Sequence, residues 1–157
     1  GSILKQQYLE AFLVQGAYIE SLLKLHADFS LWLEISELDN SDLIKTLRKD
    51  VGDYGLFKLV EFLRKSKLVS NSLAQDLHIY RDKRNNIVHN LLDQIYSELF
   101  EQEMREVCEL GEKITSSTEF GDILGIIKDR EESIAIEKAS ENIERTKDSD
   151  IKKLKEA

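Results

Sequence analysis

The 157-residue chain contains no proline, where average usage of about 5% would supply roughly eight. Proline punctuates the turns of loop-rich and β-sandwich folds, so its absence points away from both. Glycine is scarce too, at seven positions, and there is one cysteine. Cys108 alone cannot close an internal disulfide, and one thiol cannot build a zinc site without several His or carboxylate partners. A reducing cytoplasm is the expected compartment, with no metal and no other cofactor. No stretch approaches the ~18 to 20 uninterrupted apolar residues of a membrane span, and no basic segment followed by an apolar leader opens the chain, so no membrane partner is expected. Gly1-Ser2 reads as an expression scar.

What is present favours helices. Apolar residues make up 41% and charged residues 33%, with 22 basic against 30 acidic side chains, a net charge of −8. That balance suits long amphipathic helices around one core, and the expected fold is an all-α domain. From Ile3 to about Ile35 apolar residues recur at helical spacing through Tyr8, Phe12, Ala17, Tyr18, Leu22, Leu25, Phe29, Trp32 and Leu33, giving one long first helix with a bend near Gly16. Asp39, Asn40, Ser41 and Asp42 form a capping cluster before a short second helix through Leu43, Ile44, Leu47 and Val51. After the Gly52-Asp53-Tyr54-Gly55 interruption, Leu56, Leu59, Val60 and Leu63 resume the period to about Arg64. A helix starting near Ser70 to Ser72 carries Leu73, Leu77 and Tyr80, and another runs from about Asn86 to Ile114. Thr115 to Thr118 is a polar break, residues 119–146 a charged C-terminal helix, and residues 147–157 a charged tail in which Asp148-Ser149-Asp150 caps a last frayed turn. The expected domain spans residues 3–146.

Charge is unevenly placed. Residues 1–57 carry a net −4, residues 58–92 a net +4 and residues 93–157 a net −8. The acidic chain therefore concentrates its positive charge in Lys58, Arg64, Lys65, Lys67, Arg81, Lys83 and Arg84. A solvated helix face accounts for such a segment, and so does a local phosphate site.

Within it lies Tyr80-Arg81-Asp82-Lys83-Arg84-Asn85-Asn86-Ile87-Val88-His89-Asn90. On a continuous helix Arg84 and His89, five positions apart, stand ~140° apart around the axis and do not converge on one atom. Arg84 then extends the apolar row Leu73, Leu77, Tyr80, Val88, Leu91 and Ile95, where a guanidinium demands a carboxylate partner. If instead Asn85-Asn86 breaks and recaps the chain, Arg84 falls in the turn and His89 in the first turn of the next helix, and both reach one pocket near phosphate-favouring N–H groups. The expectation is that break.

The string Arg84-Asn85-x3-His89, an Arg followed by a polar residue and four positions between Arg and His, resembles the motif of the HEPN (higher eukaryotes and prokaryotes nucleotide-binding) superfamily. The order of elements over roughly residues 3 to 114 is similar as well. The resemblance implies an up-and-down bundle of four to five main helices, a homodimer with a composite active site, and metal-independent cleavage of single-stranded RNA by 2′-hydroxyl attack, giving a 2′,3′-cyclic phosphate. His89 is then the general acid or base, the side-chain type suited to moving a proton at neutral pH. Arg84 holds the phosphate oxygens, and Asn85, one turn before His89, orients the imidazole or the phosphate. Arg81, Lys83 and Asn86 are candidate RNA contacts. The resemblance further implies a toxin or phage-defence setting, with an antitoxin or sensor-domain partner. One departure stands out: members paired with a nucleotidyltransferase antitoxin carry Tyr two residues after the His, and Leu91 is there instead.

Simpler readings stand beside these. Arg84 can be a core arginine paired with an acid, and His89 a surface histidine, in a catalytically silent dimerisation or nucleotide- or protein-binding module. His78 and Asp82, four apart, are two of the ligands a metal needs and no more. His26 sits among apolar neighbours as a packing residue, and Tyr80 and Phe57 read as core. The acidic segment from about Lys128 is a candidate occluder of the basic one.

Overall fold

The computed structural model describes residues 2–35, 41–94 and 98–156, and every regular element among them is a helix. α1 (Ser2–Ile35) stays helical through Gly16 and turns one row, Phe12, Ile19, Leu23 and Ala27, into the core. Gly16 lies in that row, at the i+4 position from Phe12. Ala17 and Tyr18, by contrast, are exposed. α1 packs against α2 (Ser41–Gly52), α3 (Leu56–Lys65), α6 (Glu98–Thr115) and α7 (Thr118–Glu156), while α4 (Asn71–His89) packs against α3 and α6. α5 (Leu91–Gln94) is a single turn. Of the expected capping cluster before α2, Asp39 and Asn40 lie outside the described residues, as does Ile95. No helix among the described residues is long and apolar enough to cross a membrane.

The end of α3 is set by backbone geometry. Lys67 adopts the left-handed region at φ 58°, where glycine is usual. The Leu68 N–H donates to the Leu63 carbonyl at 2.8 Å and the Lys67 N–H to that of Arg64 at 3.1 Å, closing a Schellman motif. The carbonyl of Leu68 in turn accepts from Nε2 of His26, at 3.1 Å. His26 is buried, as expected of a packing residue, and burial pushes its pKa below the usual imidazole value, with Arg130 adding to the effect against the Leu68 bond.

α4 begins as its sequence dictates. The Ser70 side chain caps it by accepting the Leu73 N–H at 3.1 Å. Glu119, in the first turn of α7, accepts from the Ser70 N–H at 2.6 Å and its hydroxyl at 2.5 Å, so one carboxylate joins two helix starts. Ser117 caps α7 itself through the Phe120 N–H.

Three expectations are corrected. The helix does not break at Asn85-Asn86: α4 runs without interruption to His89, and Asn90 closes it by donating to the Asn86 and Val88 carbonyls. The reason is packing. Leu73, Leu77, Tyr80 and Ile87 are all buried, and their spacing of four, three and seven makes a single stripe only if the helix continues. Val88, placed in the apolar row from sequence, is half exposed, and Ile87 takes the core position. The second correction is that the helix expected from Asn86 to Ile114 is divided, since residues 86–89 complete α4, Asn90 lies in a turn, and α5 and α6 follow as separate elements. The third concerns the tail, since α7 remains helical through Asp148-Ser149-Asp150 to Glu156.

Candidate functional site

Arg84 falls in the buried stripe of α4, one turn after Tyr80 and one before Ile87. It fits there because α1 presents no side chain opposite. A Cβ added to Gly16 would lie 2.6 Å from Arg84 Cζ and Nε, so the guanidinium occupies the notch that glycine leaves. The carboxylate demanded by a continuous helix is absent: no ion pair holds Arg84 among the described residues, and its buried Nε has no hydrogen-bond partner.

The walls around this notch are tied together. The Tyr80 hydroxyl donates to Gln15 Oε1 at 3.2 Å, and Gln15 Nε2 donates to the Cys108 carbonyl at 2.9 Å, linking α4, α1 and α6. A second glycine makes room for that link, because a Cβ on Gly111 would meet the Gln15 side chain at 2.1 Å. Tyr80, read as core, is fully buried, and burial pushes its phenol up to about 12 although the Arg84 charge pulls the other way.

His89 ends α4 and is exposed. It stands ~140° around the helix from Arg84, so within one chain the two do not share a face. Asn85, half buried, is one turn before His89, and Arg81 one turn before Asn85, so the i, i+4, i+8 row of that face is Arg81, Asn85 and His89. The guanidinium on the His89 face is therefore that of Arg81. It lies 5.2 Å above the Phe57 ring and pairs with Asp82 at 2.9 Å. Phe57 is 50% exposed, which corrects its assignment to the core. The signal was in the sequence: Leu56, Leu59, Val60 and Leu63 form the buried stripe of α3, and position 57 falls off it.

His78 also borders this face. Its ring packs beside Phe57 with centroids 5.0 Å apart, and its Nε2 meets Glu61 Oε1 at 2.9 Å. Glu61 takes Arg64 on its other oxygen at 2.7 Å, and these two partners hold its carboxyl down to about 2. His78 and Asp82 thus have separate partners, Glu61 and Arg81.

Lys83 and Asn86 point elsewhere. With Ile87 and Asn90 they line a cleft of about 310 Å³ whose other wall is Glu103, Glu106 and Val107 of α6. Two carboxylates opposite a single lysine make that cleft a poor phosphate track. The six sequence-derived site residues therefore divide among three directions: Arg84 into its notch, Arg81, Asn85 and His89 on one outward face, Lys83 and Asn86 into the mixed-charge cleft. Comparison with protein-family models, curated proteins and solved structures finds no match in any of the three.

Proposed function

We propose that this chain is a metal-independent endoribonuclease of the HEPN type, cleaving single-stranded RNA by 2′-hydroxyl attack. The observation that carries the reading is the Arg84 guanidinium, kept half-buried in the Gly16 notch with no carboxylate among the described residues to neutralise it. A desolvated cation without a partner is costly unless an anion completes it, and a guanidinium fork matches the non-bridging oxygens of a phosphodiester. Exposed His89, with Asn85 one turn behind, supplies the proton-transfer group. The 2′-hydroxyl attacks phosphorus as His89 takes its proton. The P–O bond to the next nucleotide breaks, its oxygen acquires a proton, and the 2′,3′-cyclic phosphate remains.

Because Arg84 and His89 diverge within one chain, the working site needs a second copy, whose His89 is brought toward the first copy's Arg84. Residence in a toxin or phage-defence system, in the cytoplasm and with an antitoxin or sensor partner, belongs to the same reading. A second reading is a catalytically silent helical binding or dimerisation module, favoured by that ~140° divergence.

Labelled single-stranded RNA incubated with the protein in EDTA separates them. Cyclic-phosphate ends that vanish in His89→Ala and in Arg84→Ala, and return partly when the two variants are mixed, support the composite ribonuclease. No cleavage by the wild type, or undiminished cleavage by His89→Ala, overturns it. A salt-insensitive protein complex with no RNA binding marks the silent module.

A further inference from the structure

From Glu131 to Glu156 every residue of α7 is exposed except the half-buried Ile134. At 1.5 Å per residue these 26 positions make a rod of about 39 Å. Only its first turns, through Ile134, Glu137, Lys138 and Glu141, border a cleft with Asp28, Phe29 and Arg48, on the side away from exposed Ile136 and Ile143. A helix that is polar all round is not expected to persist without support. This one is not polar all round. Ile136, Ile143, Ile151 and Leu154 are 67, 57, 50 and 77% exposed. At ~100° per residue they fall within about 80° of arc, so they form one stripe along the rod.

Charge along the same rod is segregated. Residues 131–144 carry Glu131, Glu132, Glu137, Glu141 and Glu144 against Lys138 alone, a net −4. Residues 145–156 carry Arg145, Lys147, Lys152, Lys153 and Lys155 against three acids, a net +2. We propose that this segment pairs antiparallel with the same segment of a second copy of the chain. Antiparallel alignment sets the acidic half of each rod against the basic half of the other, whereas parallel alignment sets acid against acid. The apolar stripe obeys the same symmetry. A two-fold axis beside Ile143 brings Ile136 opposite Ile151 of the partner subunit, and Ile143 next to its own counterpart, as an isologous contact requires. The inference does not depend on the ribonuclease reading, since neither Arg84 nor His89 enters it.

Sedimentation equilibrium of the full chain tests the pairing. The wild type is expected to dimerise, with Kd rising as salt is added because opposite charges face each other. Ile143→Asp, which places a charge beside the axis twice, should raise Kd by about tenfold or more while circular dichroism shows the bundle still helical. Orientation is read on a Cys108→Ser background. Ile143→Cys should oxidise to a linked dimer, and Ile136→Cys should link to Ile151→Cys when the two are mixed but not to itself. A monomer at all concentrations, a dimer indifferent to Ile143→Asp, or ready self-linking of Ile136→Cys overturns the proposal. A dimer that survives Ile143→Asp yet still cleaves RNA would remove this interface and leave the ribonuclease reading standing.

Discussion

Gly16 and Arg84 are one feature written at two places in the chain. In a helix interior alanine is favoured over glycine by about 1 kcal/mol. A methyl at this position meets the far end of a flexible side chain, not backbone. Gly16→Ala should therefore change stability by no more than about 1 kcal/mol in either direction, while evicting the guanidinium from its notch. Thermal denaturation measured beside RNA affinity checks this: on the proposed ribonuclease reading, affinity should drop to the level of Arg84→Ala, and retained wild-type affinity would show that the notch does not position the arginine. His26 yields a pH prediction. Its folded pKa is depressed, so the unfolded chain takes up the proton first. Stability should be complete above an unfolded value of about 6.5 and decline as pH falls below it. Denaturation midpoints taken on both sides of that value should show the decline, and His26→Gln should flatten it.

At the scale of elements the Ser70–Glu119 clasp decides how α4 and α7 begin. Ser70→Ala removes a cap and one arm of the clasp, for an expected loss of about 1 to 2 kcal/mol. In a double-mutant cycle with Glu119→Ala the two losses should fall short of additivity by about 0.5 kcal/mol or more; strict additivity would mean that the clasp contributes nothing. The start at Ser70 was legible in sequence because capping is local chemistry. Asn85-Asn86 was misread for the complementary reason. Asparagine favours breaks locally, but burying Ile87 two turns beyond Tyr80 outweighs that preference, and only the packed structure reveals which of Ile87 and Val88 faces inward. The all-helical class followed from composition and period. The notch did not, because it requires knowing that positions 16 and 84, far apart in the chain, face each other. The last turns of α7 read as a frayed tail in sequence because Asp148-Ser149-Asp150 is a local capping signal, which the continuing helix overrides.

For the molecule as a whole, flanking segments of net −12 surround a basic segment of net +4, and even that segment is divided among several directions. On the proposed ribonuclease reading, RNA binding should accordingly involve few phosphates. The slope of log affinity against log salt should not exceed about 3 in magnitude, corresponding to roughly four phosphates on a single strand. Titration of binding at several salt concentrations measures it, and a steeper slope would reveal a longer basic track. Finally, the bonded chain from Tyr80 through Gln15 to the Cys108 carbonyl crosses three helices at one level. The phenol at its head ionises only at about 12. Tyr80 is thus an optical reporter built into the junction: the phenolate absorbance that Tyr80→Phe removes, leaving that of the other four tyrosines, signals during an alkaline titration the moment at which α1, α4 and α6 part, with no label and no RNA.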